Sequence, residues 1–106
     1  MHRTLIVARM DPSDADAVAD IFRDSDATDL PDLIGVRARS LFRFNGLYFH
    51  LTEADEDPTA RLYAHREHPL FQEVNTRLAK YMSPYLPSWR EPKDSMAEQF
   101  YVWERK

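Results

Sequence analysis

VRARSLFRFNGLYFHLTE, residues 36–53, decides the fold. Asn45-Gly46 sits at its centre, flanked on both sides by alternating residues. A two-residue Asn-Gly loop favours the type I′ hairpin turn, which needs φ > 0 at both central positions. The turn fixes the register. Phe44 faces Leu47, Arg43 faces Tyr48, Phe42 faces Phe49, Leu41 faces His50, Ser40 faces Leu51 and Arg39 faces Thr52. Side chains alternate across a strand, so the hairpin divides into two surfaces. One carries Val36, Ala38, Ser40, Phe42, Phe44, Leu47, Phe49 and Leu51, and its apolar content predicts the core face. The other carries Arg37, Arg39, Leu41, Arg43, Tyr48, His50 and Thr52. Its mixture of arginines, imidazole and phenol suits the wall of a polar cavity.

Working outward, Arg3–Met10 is apolar and is stopped by Asp11-Pro12, which reads as a strand. Asp11 suits a helix cap and Pro12 the first helical position. Ala15, Val18, Ala19 and Phe22 then recur at helical spacing, predicting a helix over 12–24. Ser25–Pro31 reads as a break, which puts Asp26 in a loop. After the hairpin, Asp57-Pro58 again suggests a cap and a short helix through Tyr63 or Ala64. His68-Pro69 opens a longer helix with Leu70, Phe71, Val74, Leu78, Tyr81 and Met82 on its inner side; the first four of these read as core only. Pro84, Pro87 and Pro92 make the next segment irregular. Met96–Trp103 is predicted as the closing strand. The order strand, helix, strand, strand, helix, strand is the α+β, ferredoxin-like split βαβ arrangement with an antiparallel sheet. Helices cover one sheet face. The other, expected to be the Arg/His/Tyr side of the hairpin together with Tyr101 and Trp103, is left for a second subunit. A homodimer of the dimeric α/β-barrel type, with a cavity between the two sheets, is the expectation.

A chain of 106 residues is one domain with room for a core. The net charge of −4, with no long basic run, argues against nucleic acid as a partner. The absence of cysteine removes disulfides, thiolate metal sites and a cysteine nucleophile. No apolar run reaches membrane-spanning length, so no membrane association and a cytoplasmic location are expected. His65 and His68 form an H-x-x-H pair, but zinc needs a third ligand and Pro69 interrupts the helix beside them; His68 is expected to cap, and no metal site is expected.

The stretches DATDLP (26–31), IGVRARSLFRFNGLYFHLTEAD (34–55), HPLFQEVN (68–75) and DSMAEQFYVW (94–103) together resemble the tetracenomycin-type aromatic polyketide cyclases, nearly end to end. The resemblance implies a cofactor-free homodimer that performs aldol-type ring closure and dehydration on a poly-β-ketone or partly cyclised polyketide. It also implies transient contact with polyketide synthase components. It leaves open whether the cavity lies between sheet and helices or against the partner. Relatives of this type can carry a histidine just before the position of Asp26; Ser25 stands there here.

The chemistry fits the residues. A methylene between two ketones is acidic enough for a moderate base, and neutral histidine suits that work near pH 7. Developing enolate and alkoxide oxygens need donors, and arginine offers five and keeps its proton. His50 and Arg39 share one hairpin face and are the first catalytic candidates. The resemblance adds Asp26, to orient His50 or to serve as acid. Arg37 is a candidate for a substrate carboxylate, and Tyr48, Tyr101 and Trp103 for stacking on a polycyclic substrate. The same residues also allow a non-catalytic dimer that binds small aromatics, or a cofactor-free monooxygenase of the same architecture, because function resides in the site and not in the fold.

Overall fold

The structure, a computed structural model, describes residues 1–106. Its frame is one four-stranded antiparallel sheet in the spatial order β2–β3–β1–β4. Strand β1 is His2–Met10, β2 is Val36–Phe44, β3 is Leu47–Ala54 and β4 is Met82–Pro84. Helices α1 (Ala15–Asp26), α2 (Leu30–Ile34), α3 (Thr59–Ala64) and α4 (Pro69–Leu78) complete the α+β, ferredoxin-like arrangement.

Local chemistry explains the boundaries. Asp11 accepts from the Ser13 amide at 2.9 Å, ahead of a single 3₁₀ turn that leads into α1. The His68 ring caps α4, its Nδ1 accepting from the Leu70 amide at 3.1 Å, so this histidine is committed to the backbone. Gly35 ends α2 at φ +89°, a left-handed conformation that lets the chain turn directly into β2. The hairpin register is as expected, from Phe44 opposite Leu47 to Arg39 opposite Thr52. The turn, however, is not type I′: Asn45 has φ +54°, whereas φ at Gly46 is not positive. Beyond Arg39 an irregularity between Val36 and Ala38 shifts the pairing. It turns Val36 to the helix side and leaves Arg37 outside the ladder.

The two hairpin faces are the reverse of the expectation. Along β3, Tyr48, His50, Thr52 and Ala54 are buried, whereas Leu47, Phe49, Leu51 and Glu53 are only partly covered. The Arg39/Tyr48/His50 face therefore lies under the helices. Phe42 and Phe44, 54% and 66% exposed, stand on the open face. The reason lies in β1 and α1. The helix-side row of β1 ends in Ala8 and Met10, and with Val18, Phe22 and Tyr48 these form the core cluster. That row pairs with Tyr48 and His50 and so brings them under α1.

Three further expectations are corrected. Helix α1 runs through Ser25 and Asp26 instead of stopping at residue 24, so Asp26 belongs to a helical turn and not to a loop. The Thr28 hydroxyl donates to the Ser25 carbonyl at 2.6 Å and closes that end. Helix α4 ends at Leu78, and Met82–Pro84 forms the fourth strand beside β1. Pro84 is tolerated there because the strand is an edge. The predicted closing strand Met96–Trp103 is not formed: Met96 makes a single bridge to Ile6, and residues 97–106 have no regular secondary structure.

Candidate active site

Strands β2 and β3 present Arg39 and His50 toward α1, and there the two side chains meet. Arg39 Nη1 donates to His50 Nε2 at 2.7 Å. The same guanidinium grips Asp26 with its other edge. Nε lies 3.1 and 3.2 Å from the two carboxylate oxygens, and Nη2 lies 2.9 Å from Oδ1. Phe22, one turn before Asp26 on α1, packs against both groups, its ring tilted by 58° to the imidazole. Its ring centroid is 4.7 Å from Arg39 Cζ and 4.9 Å from the His50 ring centroid. The arginine is thus held by a charged fork on one side and by an aromatic face below. Helix α1 supplies both supports from positions four residues apart, which share a helix face.

This packing sets the electrostatics. Burial, reinforced by the adjacent Arg39 charge, lowers the His50 pKa from 6.5 to about 3. The ring is neutral throughout the physiological range. Arginine can only donate, so Nε2 is the accepting nitrogen and Nδ1 carries the proton. Burial also pushes the Tyr48 phenol well above its ordinary value, opposed only in part by Arg39, so it stays protonated.

Arg39, Tyr48 and His50 line a cavity of about 480 Å³ between the sheet and the helices of one chain. It does not lie between two facing sheets as expected, because their hairpin face is turned to the helices. That volume is in the range of small-molecule sites. Ser25 and the cross-strand pair Thr4 and Thr52 add polar groups, while Phe22, Leu30, Ile34, Phe71, Val74 and Leu78 supply apolar wall. An apolar enclosure with a few convergent polar groups suits a flat, oxygen-bearing organic substrate.

The candidate residues separate into two groups. Arg39, His50 and Asp26 form one connected cluster, and Tyr48 joins Arg39 and His50 in the cavity wall. Asp26 touches Arg39 and not His50, and it stands behind the arginine. Arg37 lies at the sheet end, 3.0 Å from Asp55 and away from the cavity. Tyr101 and Trp103 are exposed on the irregular C-terminal segment, 73% and 61% accessible. His65 and His68 gather no third ligand. Sequence reasoning missed Ser25 as a wall residue, and it read Phe71, Val74 and Leu78 as core although they line the cavity. Their helical spacing was correct; periodicity does not say whether an inward face meets protein or a cavity.

A ferredoxin-like sheet whose helix layer encloses a cavity with an arginine–imidazole pair defines a class of small-molecule α+β proteins. Within it, residues 2–104 match the model of the polyketide synthesis cyclase family. Tetracenomycin F2 cyclase of Streptomyces glaucescens is 58% identical over 102 residues, covering 96% of this chain and 94% of that protein. The solved structure of tetracenomycin F2 cyclase from S. glaucescens, a type-II polyketide cyclase, superposes with a TM-score of 0.95 at 56% identity, covering all of both chains. The chain belongs to the polyketide synthesis cyclase family. A protein from Nitrosomonas europaea assigned as an antibiotic biosynthesis monooxygenase aligns with a TM-score of 0.55 at 12% identity, over 76% of this chain and 78% of that one, a likeness of fold alone.

Proposed function

We propose that this protein is an aromatic polyketide cyclase that closes a ring by cofactor-free intramolecular aldol addition and dehydration, on a poly-β-ketone or partly cyclised intermediate. The observation that carries this reading is the Arg39–His50 pair, fixed by Asp26 and Phe22 inside an apolar cavity. The methylene between two ketones loses a proton, and its carbon bonds to a ketone carbon elsewhere on the same chain. That ketone oxygen gains a proton, and a second hydrogen later leaves with the hydroxyl as water.

Arg39 stabilises the oxygen on which negative charge develops. Burial and the Arg39 charge keep His50 a weak base at rest. As negative charge develops on the substrate oxygen and Nη1 turns to it, that charge offsets the guanidinium. The freed Nε2 lone pair then becomes basic enough to take the methylene proton. Asp26 acts through Arg39 as a positioning residue, and Tyr48 offers a ring to the substrate. The cavity walls hold a flexible chain so that one closure is favoured over the others. Family membership favours this reading over the ligand-binding dimer and the monooxygenase.

The protein acts as a homodimer in the cytoplasm, in transient contact with the synthase components that deliver its substrate. No helix is long and apolar enough to cross a membrane. The open sheet face supports the dimer: Phe42 and Phe44 stand exposed beside Phe49 and Leu51, an apolar surface that water covers poorly. The C-terminal segment adds Phe100, Tyr101 and Trp103, all largely exposed and suited to a partner's surface. In this reading the partner does not supply the catalytic pair. Its own helices already enclose it.

The test is the product profile of an aromatic polyketide host with the gene deleted, then restored as wild type or as a folded Arg39→Ala variant. Deletion is expected to give shunt products, wild type to restore one ring pattern, and Arg39→Ala to fail. An unchanged profile in the cognate pathway would refute the cyclase reading.

A further inference from the structure

The ladder between β1 and β3 places Thr4 directly opposite Thr52. Both line the cavity, one step along the sheet from the Ile6–His50 pair. Directly opposed side chains have Cβ atoms about 4.5–5.5 Å apart, and opposed threonines commonly hydrogen-bond to each other. Here the Thr4 hydroxyl oxygen is shielded from the cavity space and has no hydrogen-bond partner, so it meets a ligand only by turning about χ1. A buried hydroxyl left unpaired is costly, and most such groups in folded proteins are satisfied. The cavity wall also carries apolar Ile6, Val36, Leu62 and Met96 and the hydroxyls of Thr59 and Ser95, none of which hydrogen-bonds to Thr4.

The position gives this pair a use. Thr52 is two residues from His50 on β3, about 7 Å along the strand. Thr52 also lies directly opposite Arg39 across the β2–β3 ladder. A polyketide carries oxygen on alternate carbons, so a substrate with one oxygen at the Arg39–His50 contact presents another toward the threonines. We propose that Thr4 and Thr52 form a second polar subsite, which takes a ketone or hydroxyl oxygen of the polyketide and so sets which carbonyl stands before Arg39 and His50. The pair is then a register device that selects the ring to be closed. This rests on the cyclase reading of the same cavity, and it adds residues that do no proton transfer.

The probe is 1,3,6,8-tetrahydroxyanthraquinone, compared with 1-hydroxyanthraquinone, which has the same ring system and fewer hydroxyls. Binding is followed by fluorescence titration for wild type, Thr4→Val, Thr4→Ser and Arg39→Ala. Losing one neutral hydrogen bond weakens binding by about 2- to 12-fold. That loss is expected for the tetrahydroxy ligand with Thr4→Val, with little change for the monohydroxy ligand and recovery with Thr4→Ser. Thermal unfolding of Thr4→Val should show no loss of stability, since the variant keeps the shape and removes an unpaired group. A Thr4→Val effect equal on both ligands, or absent, while Arg39→Ala still weakens binding, overturns the subsite and leaves the cyclase reading intact. If Arg39→Ala also changes nothing, the cavity reading falls and the subsite falls with it.

Discussion

Lowering the pH should destabilise this protein through His50 alone by an amount that its surroundings fix. The imidazole has a pKa of about 3 in the folded chain against 6.5 in the unfolded one, because it is buried and lies against Arg39. Between those values the unfolded chain binds a proton that the folded chain refuses. Stability therefore rises with pH across this window, is complete above about 6.5, and is lost progressively on acidification. Going from pH 8 to pH 5, the linkage relation gives a loss of about 2 kcal/mol from this one group. For a domain near this size that is a fall in Tm of about 10 °C. The assay is urea unfolding of wild type and His50→Gln at several pH values. Carboxylate titrations are common to both proteins, so the difference between the two curves isolates the imidazole. Wild type should lose about 2 kcal/mol more than the variant between pH 8 and pH 5. Parallel curves would refute the buried, neutral histidine and the Arg39 hydrogen bond assigned to its Nε2.

Other consequences follow from the same contacts. Asp26→Asn weakens the fork that aims Arg39, and kcat/KM should fall by about 10- to 100-fold, as a small misplacement of a catalytic group does; steady-state kinetics with a folded variant checks this. Arg39→Lys keeps the charge but loses the planar fork shared between Asp26 and His50, and should recover little of the activity lost in Arg39→Ala. Arg37→Ala removes an exposed pair with Asp55 outside the cavity. Its activity should equal wild type, and its stability should change by no more than about 0.5 kcal/mol in chemical denaturation. Phe42→Glu combined with Phe44→Glu puts charge on the open sheet face; if the proposed dimer uses that face, light scattering should give twice the monomer mass for wild type and the monomer mass for the variant.

The sequence carried the connectivity further than the orientation. Asn45-Gly46 specified the hairpin register, because a two-residue loop leaves little freedom in pairing, although the turn formed is not the expected type I′. Which face of that hairpin meets the helices was not legible, since both faces hold apolar and polar residues. Phe42, Phe44 and Phe49 suggested a core by hydrophobicity. The packing is decided instead by β1, whose Ala8 and Met10 bring Tyr48 and His50 under Phe22. Arg39 and His50 were recognisable as a pair from strand alternation. The link from Asp26 to Arg39 depends on α1 continuing to residue 26, and the sequence SDATDLP reads locally as a break. The fourth strand was placed at 96–103 on its alternating aromatics, whereas β1 pairs with the short Met82–Pro84 instead. Two prolines nearby obscured that edge strand, since proline is excluded only from central strands.

The central claim is that ring closure occurs between the sheet and its helices, at Arg39 and His50. The most direct measurement is a crystal structure of this protein with 1,3,6,8-tetrahydroxyanthraquinone bound. The ring system is expected in the cavity beneath α1 and α4, with one ligand oxygen within hydrogen-bonding distance of the Arg39 guanidinium. A ligand seated on the open face against Phe42 and Phe44, with the cavity between sheet and helices unchanged, would contradict it.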